Sequence, residues 1–72
     1  MNSENILAKI PGGVIGEALG QLAPEEGAQP GEIRTVVTLP FFGPVRFQCR
    51  RMTWKHGRMT HHAWTAIAAT RV

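Results

Sequence analysis

Residues 50–64, RRMTWKHGRMTHHAW, gather all three histidines, both tryptophans and four of the eight cationic side chains of this 72-residue chain. They contain no carboxylate. Three chemistries draw on such residues. The first is metal binding, since thiolate and imidazole ligands hold zinc and Cys49, His56, His61 and His62 supply both. Spacing argues against it: adjacent His61 and His62 point to opposite faces of a strand, and Cys49 belongs to an inward-facing alternation. The second is nucleophilic catalysis, which needs a base beside the nucleophile and a third group to orient that base. Cys49 with His61 or His62 matches such a pair in composition only. No carboxylate follows Glu32, and Ser3 is the only serine. No metal, no cofactor and no enzymatic activity is expected.

The third chemistry is polyanion binding. Arg46, Arg50, Arg51, Lys55 and Arg58 suit phosphates, whose neutralisation supplies most non-specific affinity for nucleic acid. Trp54 suits stacking on an unpaired base, a contact worth about 1–3 kcal/mol. His61 falls on the same strand face as Trp54, and a two-stranded ribbon also fits a major groove. These seven residues form the candidate nucleic-acid site, with DNA or RNA as the expected partner. No named recognition motif accompanies them. The alternative is a protein-interaction or assembly module. Trp, Met and Arg are enriched at protein interfaces, and arginines outnumber lysines six to two.

The charge distribution sharpens the contrast. All five carboxylates lie in residues 1–32 with Lys9 as the only cation, a balance of −4. Residues 33–72 carry +7 and no acid. Such a split marks a surface for a polyanion, unless the acidic half folds over the basic half and neutralises it.

These residues need elements to position them. The length allows one domain, 1–72, read as a helical segment (1–23), a linker (24–32) and a β-meander (33–72). Ser3 reads as an N-cap with Glu4 behind it, followed by Ile6, Leu7 and Ile10 at helical spacing. Pro11-Gly12-Gly13 stops this first short helix. A second is predicted over 13–23, with Val14, Ile15, Ala18, Leu19 and Leu22 on one face and Pro24 at its end. Gly12, Gly16 and Gly20 recur every four residues, a spacing that admits close packing on the sheet or on a partner helix. It is not a phosphate loop, because no Lys-Ser/Thr pair follows and no strand precedes.

From Ile33 the period becomes two. Ile33, Thr35, Val37 and Leu39 are expected inside. A five-residue loop, 40–44, then pairs Leu39 with Val45 and Val37 with Phe47. His56-Gly57 reads as a two-residue hairpin turn. That turn places Cys49 opposite Trp64, Phe47 opposite Ala66 and Val45 opposite Ala68, all on the buried face. The outer face receives Arg46, Arg50, Met52 and Trp54, with Trp54 opposite Met59 and Met52 opposite His61. Arg51, Lys55, Arg58 and His62 fall on the inner side of the tip.

The expected fold is therefore α+β: two short N-terminal helices packed on one face of a three-stranded antiparallel β-meander. A core this small supplies no more than roughly 3–5 kcal/mol, and a single cysteine rules out an intrachain disulfide. A homodimer is expected, paired through the apolar third strand or the glycine-spaced helix. The opening MNSENILAKI lacks the basic start and apolar run of a signal peptide, and no stretch is long enough to span a membrane. No membrane association and a cytoplasmic setting are the expectations.

Overall fold

The computed structural model describes residues 4–22 and 28–72. The proposed Ser3 cap, the Pro24 stop and linker residues 24–27 lie outside them. The fold is α+β: a 3-10 turn, Leu7–Lys9, one helix, α1 (Gly12–Leu22), and strands β1 (Ile33–Thr38), β2 (Val45–His56) and β3 (Met59–Arg71). The strands form one antiparallel sheet in the order β1-β2-β3. No helix among the described residues is long and apolar enough to cross a membrane.

The first of the two predicted helices is only the 3-10 turn. Its chain has three residues between Ile6 and the extended Ile10, too few to repay helix nucleation. Asn5 does different work there. Its Oδ1 accepts the Leu7 N–H at 3.0 Å and the Ala69 N–H at 3.0 Å, while the Ile6 N–H donates to the Ala69 carbonyl at 2.7 Å. The N-terminal segment is thereby tied to β3 as a short pairing. Its apolar residues, Ile6 and Ile10, enter the core.

The helix that does form starts where Pro11 offers its carbonyl to the Ile15 N–H, at 3.2 Å. It lays Ala18 and Leu22 against the sheet, with Val14, Ile15 and Leu19 half-buried around them. The glycine stripe does not meet the sheet. A Cβ added at Gly12, Gly16 or Gly20 would touch nothing within 4 Å, so the expectation of close packing on the sheet is corrected: within the chain the stripe faces open space.

A Pro30-Gly31 turn launches β1. The Glu32 N–H donates to the Gln29 carbonyl at 3.0 Å and Gly31 sits at φ 84°, the left-handed position that a type II turn reserves for glycine. The register of β1 then departs from expectation by one residue. Thr38 pairs with Val45 and Val36 with Phe47, around a six-residue loop, 39–44. A one-residue slip sends every side chain to the other face. Val36 and Thr38 are buried, while Ile33, Val37 and Leu39 are exposed. The slip brings Arg34 to the inner face, where it bonds the Glu32 carboxylate and lies 5.6 Å from the Trp64 ring centre. Val36 takes the buried place that alternation gave to Val37.

The β2–β3 turn also differs. His56 pairs with Met59, so the loop is Gly57-Arg58 and not His56-Gly57. Gly57 has φ 66°, and no described non-glycine residue has positive φ. Positive φ at the first central position alone is a type II′ turn, which wants Gly-X; the expected turn would have forced His56 into that region. The shift moves each partner by two, so faces survive near the tip while partners change: Trp64 opposes Arg51, Ala66 opposes Cys49, Trp54 opposes His61 and Met52 opposes Ala63. Between Cys49 and Gln48 the register jumps, leaving Ile67 as the extra residue of a bulge. Beyond it the β3 faces invert. Ala69, not Ala66, meets Phe47, and Ala68 joins Gln48 on the outer face.

The core lies between α1 and the inner face: Phe47, Val45, Cys49, Val36, Ala69 and Trp64, closed by Ile6, Ile10, Ala18 and Leu22. It ends at Trp64. Residues 52–60 are all exposed, and the two strands run on past the core as a bare ribbon. The molecule is accordingly long, 43 × 24 × 20 Å.

Candidate nucleic-acid interface

The ribbon has five rungs, Met52 with Ala63 to His56 with Met59, and projects about 14 Å at the usual strand rise. An isolated two-stranded hairpin is marginal in water. This one is anchored by its continuation into the sheet and braced near the tip. Trp54 and His61 stack across the strands with ring centres 5.5 Å apart and planes 21° from parallel. His56 approaches the same imidazole at 6.4 Å. On the other side, Thr53 Oγ1 and His62 Nδ1 are 3.2 Å apart.

The seven candidate residues divide between two faces. Arg46, Arg50, Trp54 and His61 share the outer face, the one no helix covers. Arg46 stands opposite Val37 and Thr70, and Arg50 opposite Ile33 and Thr65. Arg51 and Lys55 point to the inner side, opposite Trp64 and Thr60. Arg58 occupies the turn, a correction to its expected place on the inner face. His61 and His62 part to opposite faces, and no group of three potential ligands fit to hold a metal ion occurs among the described residues.

Electrostatically the ribbon is uncompensated by the described carboxylates. Glu4 lies 3.4 Å from Lys9, Glu32 holds Arg34, and no described acid forms an ion pair with Arg46, Arg50, Arg51, Lys55 or Arg58. Glu25 and Glu26 lie outside the described residues. The Glu32 carboxyl is held below its ordinary value, first by the Gln29 backbone N–H and then by Arg34. Burial pushes the Cys49 thiol up, away from the thiolate a nucleophile or a metal would require.

Where ribbon meets core, a cleft of about 410 Å³ opens between α1 and β3, lined by Leu19, Gly20, Arg51, His62, Ala63 and Trp64. The Arg51 guanidinium lies 5.5 Å from the centre of the Trp64 ring. Arg51 Nε and Trp64 Nε1 have no acceptor. Both atoms are sealed from solvent, so a ligand oxygen reaches them only if Arg51 swings aside. Arg34, which completes this cluster, was not among the candidate residues. The signal for it is the Glu32-x-Arg34 spacing, which puts an ion pair on one side of a strand.

The outer face also carries apolar surface that strict alternation places in the core. Ile33 and Val37 are half-exposed and lie in line with Arg50 and Arg46. Met52 and Met59 flank Trp54, itself 49 % exposed. Chemically this face can offer cations to phosphates and flat or soft apolar groups to bases or to another protein. Comparison of the chain with protein-family models, with curated proteins and with solved structures finds no match.

Proposed function

We propose that the chain is a nucleic-acid-binding module, non-catalytic and acting in the cytoplasm, whose contact element is the β2–β3 ribbon. One observation carries the reading. Lys55 and Arg58 stand on a ribbon that leaves the core, Arg50 and Arg51 stand at its root, and no described carboxylate forms an ion pair with any of the four. Cations held out on a rigid arm, with little to lose on contact, suit counterion release from a phosphate backbone. Cys49, buried and without cystine partner, fits a reducing compartment.

The test is a salt-dependent titration with DNA and RNA. Replacing Arg50 or Lys55 by Gln is expected to weaken binding across sequences alike and to lower the salt slope by about 0.7–0.9 for each phosphate contact removed. Wild-type protein that binds neither polymer at low salt would overturn the reading.

A second reading has its own support. From Met59 to Thr70, β3 holds no Lys, Arg, Asp or Glu, and it is a sheet edge. Asn5 and Ile6 occupy that edge only around Ala69. Edges usually carry charges that discourage pairing. A homodimer joined through residues 59–67 of two copies would extend the sheet, and sedimentation equilibrium at micromolar concentration decides it. A monomer under those conditions removes this reading and leaves the first intact.

A further inference from the structure

We infer that the nucleic acid is a single strand, laid along the outer face of the sheet with a base stacked on Trp54. The inference rests on the nucleic-acid reading and adds the class of substrate and the face that takes it.

The two sides of the ribbon are chemically unlike. The inner side of the arm carries Thr53, Lys55, Thr60 and His62, with no indole or phenyl ring. The outer side carries one line of β2 residues: Arg46, Gln48, Arg50, Met52, Trp54. Its cations and its indole recur every four residues, so they stand about 13 Å apart at the strand rise. No described carboxylate lies on this face. The charge thus complements a phosphate chain running parallel to β2.

The apolar groups decide between one strand and two. A duplex turns its phosphates outward and keeps its bases paired. Docked on this face it would satisfy Arg46 and Arg50 and leave Trp54, Met52, Ile33 and Val37 against a polar backbone. A single strand presents both partners at once, phosphates for the arginines and unstacked bases for the flat apolar surface. Trp54 is also preorganised for that role. His61 backs its ring across the strands, so little side-chain freedom remains to be lost when a base stacks against it.

The experiment titrates the full chain with oligothymidylate, with the matching duplex and with an RNA of the same sequence. Tryptophan fluorescence and polarisation are the readouts. Single strands are expected to bind more tightly than the duplex and to quench Trp54. Trp54→Ala should weaken single-strand binding on the order of ten- to a hundred-fold, with a much smaller effect on the duplex. Trp54→Phe should restore most of it. Arg50→Gln should weaken single-strand binding more than Lys55→Gln, which lies on the other side. Trp54 is exposed, so an unchanged circular dichroism spectrum is expected to accompany each variant. Tighter duplex binding, insensitive to Trp54→Ala, overturns this inference while the nucleic-acid reading stands. Absence of binding to all three polymers at low salt overturns both.

Discussion

The root of the β2–β3 hairpin and its arm are built on the same two strands and differ in what lies against them. At the root, α1 and the N-terminal segment cover Val45, Phe47 and Cys49 completely. In the arm, no residue from Met52 to Thr60 is buried. Trp64 sits at the last covered rung, 8 % exposed between two guanidinium groups, and Trp54 sits in the bare part against an imidazole. The difference teaches that burial, and with it stability, is concentrated on the inner face of the root, while the arm and the outer face of the root stay largely exposed. The inner face of the root can be mutated only at the expense of the fold, whereas the arm and the root's outer face are free to vary their surface.

The largest effect that would break this division comes from the two indoles. Trp64→Ala is expected to cost about 3–5 kcal/mol, as removal of a buried large aromatic does. In a domain of this size that approaches the whole stability. Trp54→Ala should shift a urea midpoint little. A comparable loss at Trp54 would mean that the tip has a core of its own.

A smaller effect sharpens the comparison of the two sheet faces. Val36 and Val37 are neighbours with the same side chain, 7 % and 51 % exposed. Val36→Ala should destabilise by about 1.5–3 kcal/mol, the value of a buried valine. Val37→Ala should stay within about 0.5 kcal/mol. Equal effects in chemical denaturation would refute the β1 register.

The smallest is a gain. Thr38 is buried and its Oγ1 has no hydrogen-bond partner. Thr38→Val keeps the shape and removes the unpaired hydroxyl, so thermal unfolding should show about 1 kcal/mol of added stability.

Much of the architecture could be read from residue pattern. The alternation in residues 45–51 announced a strand buried on one side, and Pro30-Gly31 and Pro11-Gly12 marked boundaries the chain respects. The division of Trp54 from Trp64 followed from strand parity, which a two-residue change of partner leaves intact. Three things were not legible. The β1 slip exchanges Val37 and Leu39 for Val36 and Thr38 in the core and brings Arg34 to Glu32 and Trp64, and alternation alone cannot choose between two adjacent valines. The bulge at Ile67 sits in a run of alanines that has no face of its own to betray it. The first helix failed because Asn5 prefers to bond β3, a partner at the far end of the sequence. For the candidate site, the strand assignment grouped Trp54, His61, Arg46 and Arg50 on one face and set Arg51 and Lys55 on the other. It misplaced Arg58 and missed Ile33 and Val37 because their faces hang on the turn and the slip.

Asn5 also constrains the order of events during synthesis. Its carbonyl oxygen joins the N–H groups of Leu7 and Ala69, and Ile6 pairs with the same Ala69. The β2–β3 hairpin has local contacts and closes on the microsecond scale once its strands are available. The N-terminal segment emerges from the ribosome first and yet has no place to dock until Ala69 follows it out. Ile6 and Ile10, which seal one end of the core, must wait with it. Closing the core therefore brings together Asn5 and Ile6 with Ala69, residues more than sixty positions apart in the chain.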